Sequence, residues 1–320
     1  MVAFTDRARR TEEDRGMSRI IVVGSANTDM IVKMESLPKP GETVLGGEFV
    51  TAAGGKGANQ AVAAARLGAE VTFFARVGTD ALGDEAVAGY EAEGIDTGCI
   101  VRDDGAPSGV ALILVDGSGE NMIAVASGAN ARLRPADIRA HADAFEGTDV
   151  LLTQLETPVA TILAAAEIAR AHGLTVILNP APAPRETLPP DLLALVDILV
   201  PNQHEAAQIS GLNPDDPPKI HARELLKLGP QAVIITLGKE GALLATRDGI
   251  QKLEAFRVDP VDTTAAGDAF LGGLAVALAE GQALPEAVRF SSACGALAAT
   301  RLGAQPSLPT RDEVAHLLNS

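Results

Sequence analysis

Six short runs of aliphatic and β-branched residues, each followed by a glycine or polar turn, constrain this chain more than any other feature. Residues 20–23 lead into Gly24-Ser25-Ala26-Asn27, 71–74 towards Gly78, and 150–152 towards Gln154 and Glu156. Residues 175–178 run into Asn179-Pro180, 198–200 into Pro201-Asn202, and 233–236 into Leu237-Gly238. Unbroken apolar runs of this length suit strands buried on both faces of a parallel sheet. Between them lie Ala-rich amphipathic stretches at 58–67, 161–171 and 220–228, with helical spacing of their apolar residues. The alternation predicts an α/β fold with helices on both sides of a mostly parallel sheet. Its polar turns then collect along the carboxyl edge, where open sheets of this kind bind ligands. A chain of 320 residues that is 47% hydrophobic but only 3% aromatic must fill that interior with Ala, Leu and Val.

Two regions break the alternation. Residues 28–53 contain Met30-Ile31-Val32, the turn-like Pro38-Lys39-Pro40-Gly41, and Thr43-Val44-Leu45. Residues 107–126 read as a β-hairpin around Asp116-Gly117-Ser118-Gly119. Together they are expected to form a small β-sheet lid, although ordinary surface hairpins fit the same pattern. The core is then 17–27, 54–106 and 127–320. Residues 1–16 carry Arg7, Arg9, Arg10 and Arg15 among acids and lack the apolar centre of a signal peptide. They read as a disordered extension, with Met17 an alternative start. Pro-rich stretches at 180–190 and 214–218 read as rigid loops.

A net charge of −16 argues against a polyanionic partner such as nucleic acid. Cys99 and Cys294 are far apart and no two of the five histidines have metal-ligand spacing, which fits a reducing cytoplasm rather than a disulfide framework. No apolar run approaches the ~20 residues of a membrane span.

The run Asp262-Thr263-Thr264-Ala265-Ala266-Gly267-Asp268 precedes an apolar stretch in which Leu271, Leu274 and Leu278 share one helical face. A helix start exposes unpaired N–H groups and the positive end of the dipole, so small residues there can cradle a phosphate. Asp268 would be repelled by that phosphate unless it takes a proton from a hydroxyl attacking it. Read alone, the segment is more simply a capped helix start. A second cluster, Gly54-Gly55-Lys56-Gly57-Ala58-Asn59-Gln60, is not a Walker A loop, because no Ser or Thr follows Lys56. Lys56 and Asn59 offer donors to a ligand, while Asn27 and Asp29 offer acceptors and an amide suited to vicinal sugar hydroxyls. Asn27 and Asp29 could also be loop caps.

These segments, with Gln154-Leu155-Glu156, Asn179-Pro180-Ala181, Pro201-Asn202-Gln203-His204-Glu205, Thr236-Leu237-Gly238 and Gly303-Ala304-Gln305-Pro306-Ser307, resemble the ribokinase family of carbohydrate kinases (PfkB type) from about residue 20 to the C-terminal region. The resemblance implies a three-layer α/β/α core with a β lid. It implies ATP-dependent phosphorylation of D-ribose at its 5-hydroxyl, with Asp268 as general base and an anion hole at 265–267. Sugar contacts would come from Asn27, Thr28, Asp29, Gly55, Lys56, Gly57, Ala58, Asn59, Glu156 and Asp268. ATP would meet Asn202, Thr236, Leu237, Gly238, Lys239, Glu240, Gly241, Ala266, Gly267 and Ser292. Glu205 would be linked to Mg²⁺, and Asp262, Thr264, Ala298, Arg301, Gly303 and Ser307 would hold a monovalent cation, K⁺. By themselves, Asn202 could be only a helix cap, Glu156 an exposed acid and Arg301 a solvated charge. Many family members have Gly at the position of Ala265. The family also implies a homodimer through the lid. Other expectations of the same kind are a kinase for deoxyribose, fructose or a nucleoside, or a sugar-binding regulator without catalysis.

Overall fold

The computed structural model describes residues 18–118, 120–184 and 186–320. The N-terminal extension, Met17 and the hairpin-turn Gly119 lie outside the described residues. The strands are β1 (Arg19–Val23), β2 (Asn27–Lys33), β3 (Glu48–Gly54), β4 (Glu70–Gly78), β5 (Ile100–Asp103), β6 (Gly109–Val115), β7 (Asn121–Ala126), β8 (Val150–Thr153), β9 (Thr175–Leu178), β10 (Ile198–Leu199), β11 (Ala232–Thr236), β12 (Ala242–Thr246) and β13 (Gly249–Leu253). Nine of them form one sheet in the order β13-β12-β11-β10-β9-β8-β1-β4-β5. From β5 to β11 every neighbour is parallel; β12 alone is antiparallel to its neighbours β11 and β13.

The unbroken apolar runs are buried on both faces because successive strand side chains point to opposite sides. Ile20 and Val22 join a core with the helices Lys56–Arg66, Ala266–Ala279 and Leu284–Ala298. Ile21 and Val23 join a second core with Val159–Ala171, Pro190–Leu195 and Pro218–Lys227. The result is three layers, helix–sheet–helix, in which each fully buried aliphatic side chain contributes roughly 1.5–3 kcal/mol. The scarcity of aromatics has a local use. A Cβ on Gly272 would lie 2.5 Å from Ala63 Cβ, so small residues let Ala266–Ala279 press directly on Lys56–Arg66. Those two helices carry the centre of the site described below.

The second sheet has the order β3-β2-β6-β7 and is built of two antiparallel hairpins, β2–β3 and β6–β7, joined by a parallel β2–β6 pair. Register and strand parity put Asn27, Asp29 and Ile31 on one face with Val50, Ile113, Ile123 and Val125. Met30, Phe49, Leu112 and Met122 share the other face. Every residue of β7 is exposed. Side chains root this sheet on the core at two points. Ser108 donates its backbone N–H and its hydroxyl to Asp80, both at 2.7 Å, and accepts from Gly78 N. Asn130 pairs with both backbone polar groups of Ala26 through its side-chain amide.

The second strand of the 28–53 region lies at Glu48–Gly54, whereas Thr43, Val44 and Leu45 are irregular and Leu45 is fully solvated. Helical segments begin two residues before their apolar stretches, at Lys56, Val159 and Pro218, and three before the last run, at Ala266. The β12–β13 hairpin and the helices Ala81–Ala92, Leu284–Ala298 and Arg311–Asn319 were not foreseen from the apolar runs.

Candidate active site

Asp268 sits in the first turn of Ala266–Ala279, whose apolar faces anchor it in the core. It is 8% exposed and receives two amide hydrogen bonds, one to each oxygen. Asn59 Nδ2 donates to Oδ2 at 3.0 Å and Gln60 Nε2 donates to Oδ1 at 2.9 Å. Burial pushes the Asp268 carboxyl above the usual carboxylate range, while Lys56 and the two amides act against it and Glu156 adds to it. The helix start has no side-chain cap and the space beside Gly267 is open, while Ala266 N donates to Thr263 O at 3.2 Å. Ala265, at the N-cap, has φ 57° and is the one non-glycine residue with positive φ among the described residues. That left-handed conformation costs about 1–2 kcal/mol and turns the chain sharply into the helix.

Around Asp268 the sequence expectations converge. Gly55 leads into Lys56–Arg66, so Lys56, Gly57, Ala58 and Asn59 form a first turn beside the carboxylate. Lys56 N donates to Glu156 Oε2 at 3.1 Å, and Ser25 Oγ donates to the same oxygen at 2.5 Å. Burial works to lower the Lys56 ammonium, but Asp268, Glu156 and Glu205 hold it above its ordinary value. Asp29 points the same way from β2. Burial, then Glu156 and Asp268, push its carboxyl up to about 6 from 3.8. Asn27 Oδ1 accepts from Asn130 Nδ2 at 2.7 Å, which turns its own NH₂ away from that contact. Thr28 lies on the opposite face of β2 from Asn27 and Asp29.

Asn202 caps Gln203–Ser210 in a reciprocal box: Glu205 N donates to Asn202 Oδ1 and Asn202 N to Glu205 Oε2, both at 2.8 Å. A β-bridge links Asn202 to Thr236, and Leu237 N donates to Gly241 O at 2.8 Å, closing the turn 237–241. Within that turn Glu240 pairs with Lys252. Burial raises the Glu205 carboxyl, with the Asn202 amide and Lys56 opposing. Ser292 donates its hydroxyl to Val288 O inside its own helix.

Asp262 joins two loops: Thr264 N and Oγ1 donate to Oδ1 at 2.9 and 2.6 Å, and Gly303 N to Oδ2 at 2.9 Å. Burial pushes its carboxyl up, but these bonds and Lys33 more than offset that and hold it below its ordinary value. Ala298 O accepts from Arg301 N, Arg301 forms an ion pair with Glu313, and Ser307 Oγ donates to Ala304 O. Four residues at the site were not singled out for it from sequence: Ser25, Gln60, Asn130 and Gln154. Ser25 in the turn before Asn27, Gln60 beside Asn59, and Gln154 two before Glu156 carried some signal; Asn130 carried none.

The chain matches, over residues 17–311, the family described as pfkB family carbohydrate kinase. It is 42% identical to a ribokinase of Haemophilus influenzae over 301 residues, covering 93% of this chain and 98% of that protein. It is 37% identical to a deoxyribokinase of Salmonella typhi, covering 92% and 96%. Among solved structures, a ribokinase of Arabidopsis thaliana complexed with ribose and ATP superposes with a TM-score of 0.87 at 32% identity, covering 95% of this chain and all of that one. With the family match spanning nearly the whole chain, and a carboxylate held between two amides at an uncapped helix start, the chain belongs to the pfkB family of carbohydrate kinases.

Proposed function

We propose that this protein transfers the terminal phosphoryl group of ATP to the 5-hydroxyl of D-ribose, giving D-ribose 5-phosphate and ADP. The observation that carries the reading is Asp268: buried, fixed through both oxygens, and set beside an uncapped helix start and Lys56. Asn27, Asp29, Lys56, Asn59 and Glu156 would hold the sugar hydroxyls; the ribokinases among its relatives and neighbours support that substrate. The sugar oxygen attacks the γ-phosphorus in line, its proton passes to Asp268, and the bond to the ADP oxygen breaks. An ordinary aspartate is too weak to strip an alcohol in the ground state, so the proton moves as the O–P bond forms, worth about 10²–10⁴-fold. Positioning and the amides of 265–267 supply the larger share by stabilising charge on the moving phosphoryl group.

ATP would lie across Asn202, the turn 237–241 and Gly267. Its Mg²⁺ would be linked to Glu205, which offers hard carboxylate oxygens, and would neutralise charge on the phosphates. Asp262 and Thr264, with backbone carbonyls of 298–303, would supply oxygen donors, which suit K⁺ better than a softer metal. The ion would stiffen the loop that enters the anion hole. The β2-β3-β6-β7 sheet would act as the lid, shutting water out as a competing acceptor. Its exposed Phe49, Leu112, Ile123 and Val125 support a homodimer formed there.

A coupled ADP-release assay over D-ribose, 2-deoxyribose, fructose and adenosine tests this. Ribose should give the highest kcat/KM; a higher value for another acceptor would reassign the substrate, and none for any would remove the kinase reading.

A further inference from the structure

Behind Asp268 lie two carboxamides that the reaction as derived does not use. Gln60 and Gln154 are both 0% exposed, on Lys56–Arg66 and just after β8. Gln154 Nε2 donates to Gln60 Oε1 at 2.5 Å, and Gln60 Nε2 donates to Asp268 Oδ1 at 2.9 Å. A carboxamide has one donor end and one accepting end. With Gln154 occupying the accepting end of Gln60, the donor end must face the carboxylate. A flipped Gln60 would set its own oxygen against Asp268.

Gln154 holds this arrangement at a cost. Its Oε1 is buried without a hydrogen-bond partner among the described residues, which destabilises the fold. Space for it exists only because residue 24 is glycine; a Cβ there would lie 2.2 Å from Gln154 Oε1. The other oxygen of Asp268 meets Asn59, which belongs to the sugar-facing turn. Asn59 Oδ1 is likewise buried without a partner among the described residues.

We propose that Gln154 and Gln60 form a two-amide relay that positions the base, pinning Asp268 Oδ1 so that Oδ2 takes the proton of the sugar hydroxyl. The inference rests on the kinase reading above. The groups acting on Asp268 are Lys56 and Glu156, with Asp29 and Glu205 also coupled to it, so each variant leaves these charges in place.

The test uses the full chain with ATP, Mg²⁺ and D-ribose, comparing Gln60→Leu, Gln154→Leu and the double variant. Gln60→Leu should lower kcat about 10- to 100-fold, the effect of losing a hydrogen bond to a charged group, with ribose KM changed less than about threefold. The acid limb of its kcat–pH profile should rise by roughly one pH unit, since the ionised base has lost a donor. Gln154→Leu should act in the same direction but less, and the double variant should be no slower than Gln60→Leu alone. Should Gln60→Leu fail to fold, as read by thermal melting, Gln60→Met keeps the chain length without the donor. Wild-type kcat with an unmoved acid limb, or additive losses in the double variant, would overturn the relay. If the wild-type chain shows no sugar-dependent ADP release, or Asp268→Asn turns over normally, the kinase reading itself fails instead.

Discussion

The two walls of the site are built on opposite terms. On the core side, Asn59, Gln60, Gln154 and Asp268 are buried and hydrogen-bonded in one chain, Asn59 and Asp268 being 209 residues apart in sequence, and buried Ser25 donates to Glu156. On the other side, β7 is exposed along its whole length, and Phe49, Leu112, Met122, Ile123 and Val125 are more than half exposed. Among the described residues, side chains of Asn130 and Ser108 fix the roots of that sheet. The contrast teaches where each wall needs precision. Proton transfer tolerates little displacement, so its residues are locked by hydrogen bonds in a dry interior. If the small sheet is the lid proposed above, its exposed outer strand suits a cover that admits and releases a sugar, with Asn27 and Asp29 on its fixed inner end.

The sharpest way to break that comparison is at the core wall. Asp268→Asn keeps the shape and removes the base; kcat should fall at least about a hundredfold while ribose and ATP binding, by calorimetry, stay within a few-fold. Normal turnover would remove the base assignment. At the root of the lid, Asn130→Ala frees the Asn27 amide and one anchor of β2. Ribose KM should then rise about tenfold with a smaller change in kcat. An equal loss in kcat and none in KM would mean Asn130 serves the base wall instead.

Asp29 sharpens the comparison through pH. Its folded value of about 6 lies above the unfolded 3.8, so its contribution to stability is complete below about 3.8 and is lost as pH rises through 6. Above that, its ionised form costs on the order of 2–3 kcal/mol in the sugar-free protein. Asp29→Asn should therefore raise Tm at pH 7.5 and leave it unchanged near pH 3.5, while weakening ribose binding. In the wild type, ribose affinity should weaken as pH falls below 6. A Tm gain that is the same at both pH values would place the effect elsewhere. The smallest effect is expected at the Asp262 loop: replacing K⁺ by choline should lower kcat several-fold, and a rate indifferent to the swap would count against a cation there.

Much of this was legible in the sequence because it follows from local periodicity. Strand cores at 20–23, 150–152 and 233–236 and the helix after Asp268 were set by apolar spacing that allows few alternatives. The 43–45 segment misled because β-branched residues favour a strand only where neighbours pack on them, and here Thr43 and Leu45 are exposed. The edge hairpin β12–β13 was missed because Gly249–Leu253 mixes polar and apolar residues, as a partly exposed edge strand does. Asn202 turned out to be a helix cap in fact, with Glu205 completing its box, whatever else it contacts.

By itself the sequence determined the layers, the polar carboxyl edge and the two glycine-bearing motifs, since these depend on residues close together in the chain. Tertiary structure alone decided how Ser25, Gln60, Asn130 and Gln154 act. A buried amide reads in sequence as one more polar residue, and its donor end acquires direction only when a distant acceptor is packed against it in the absence of water.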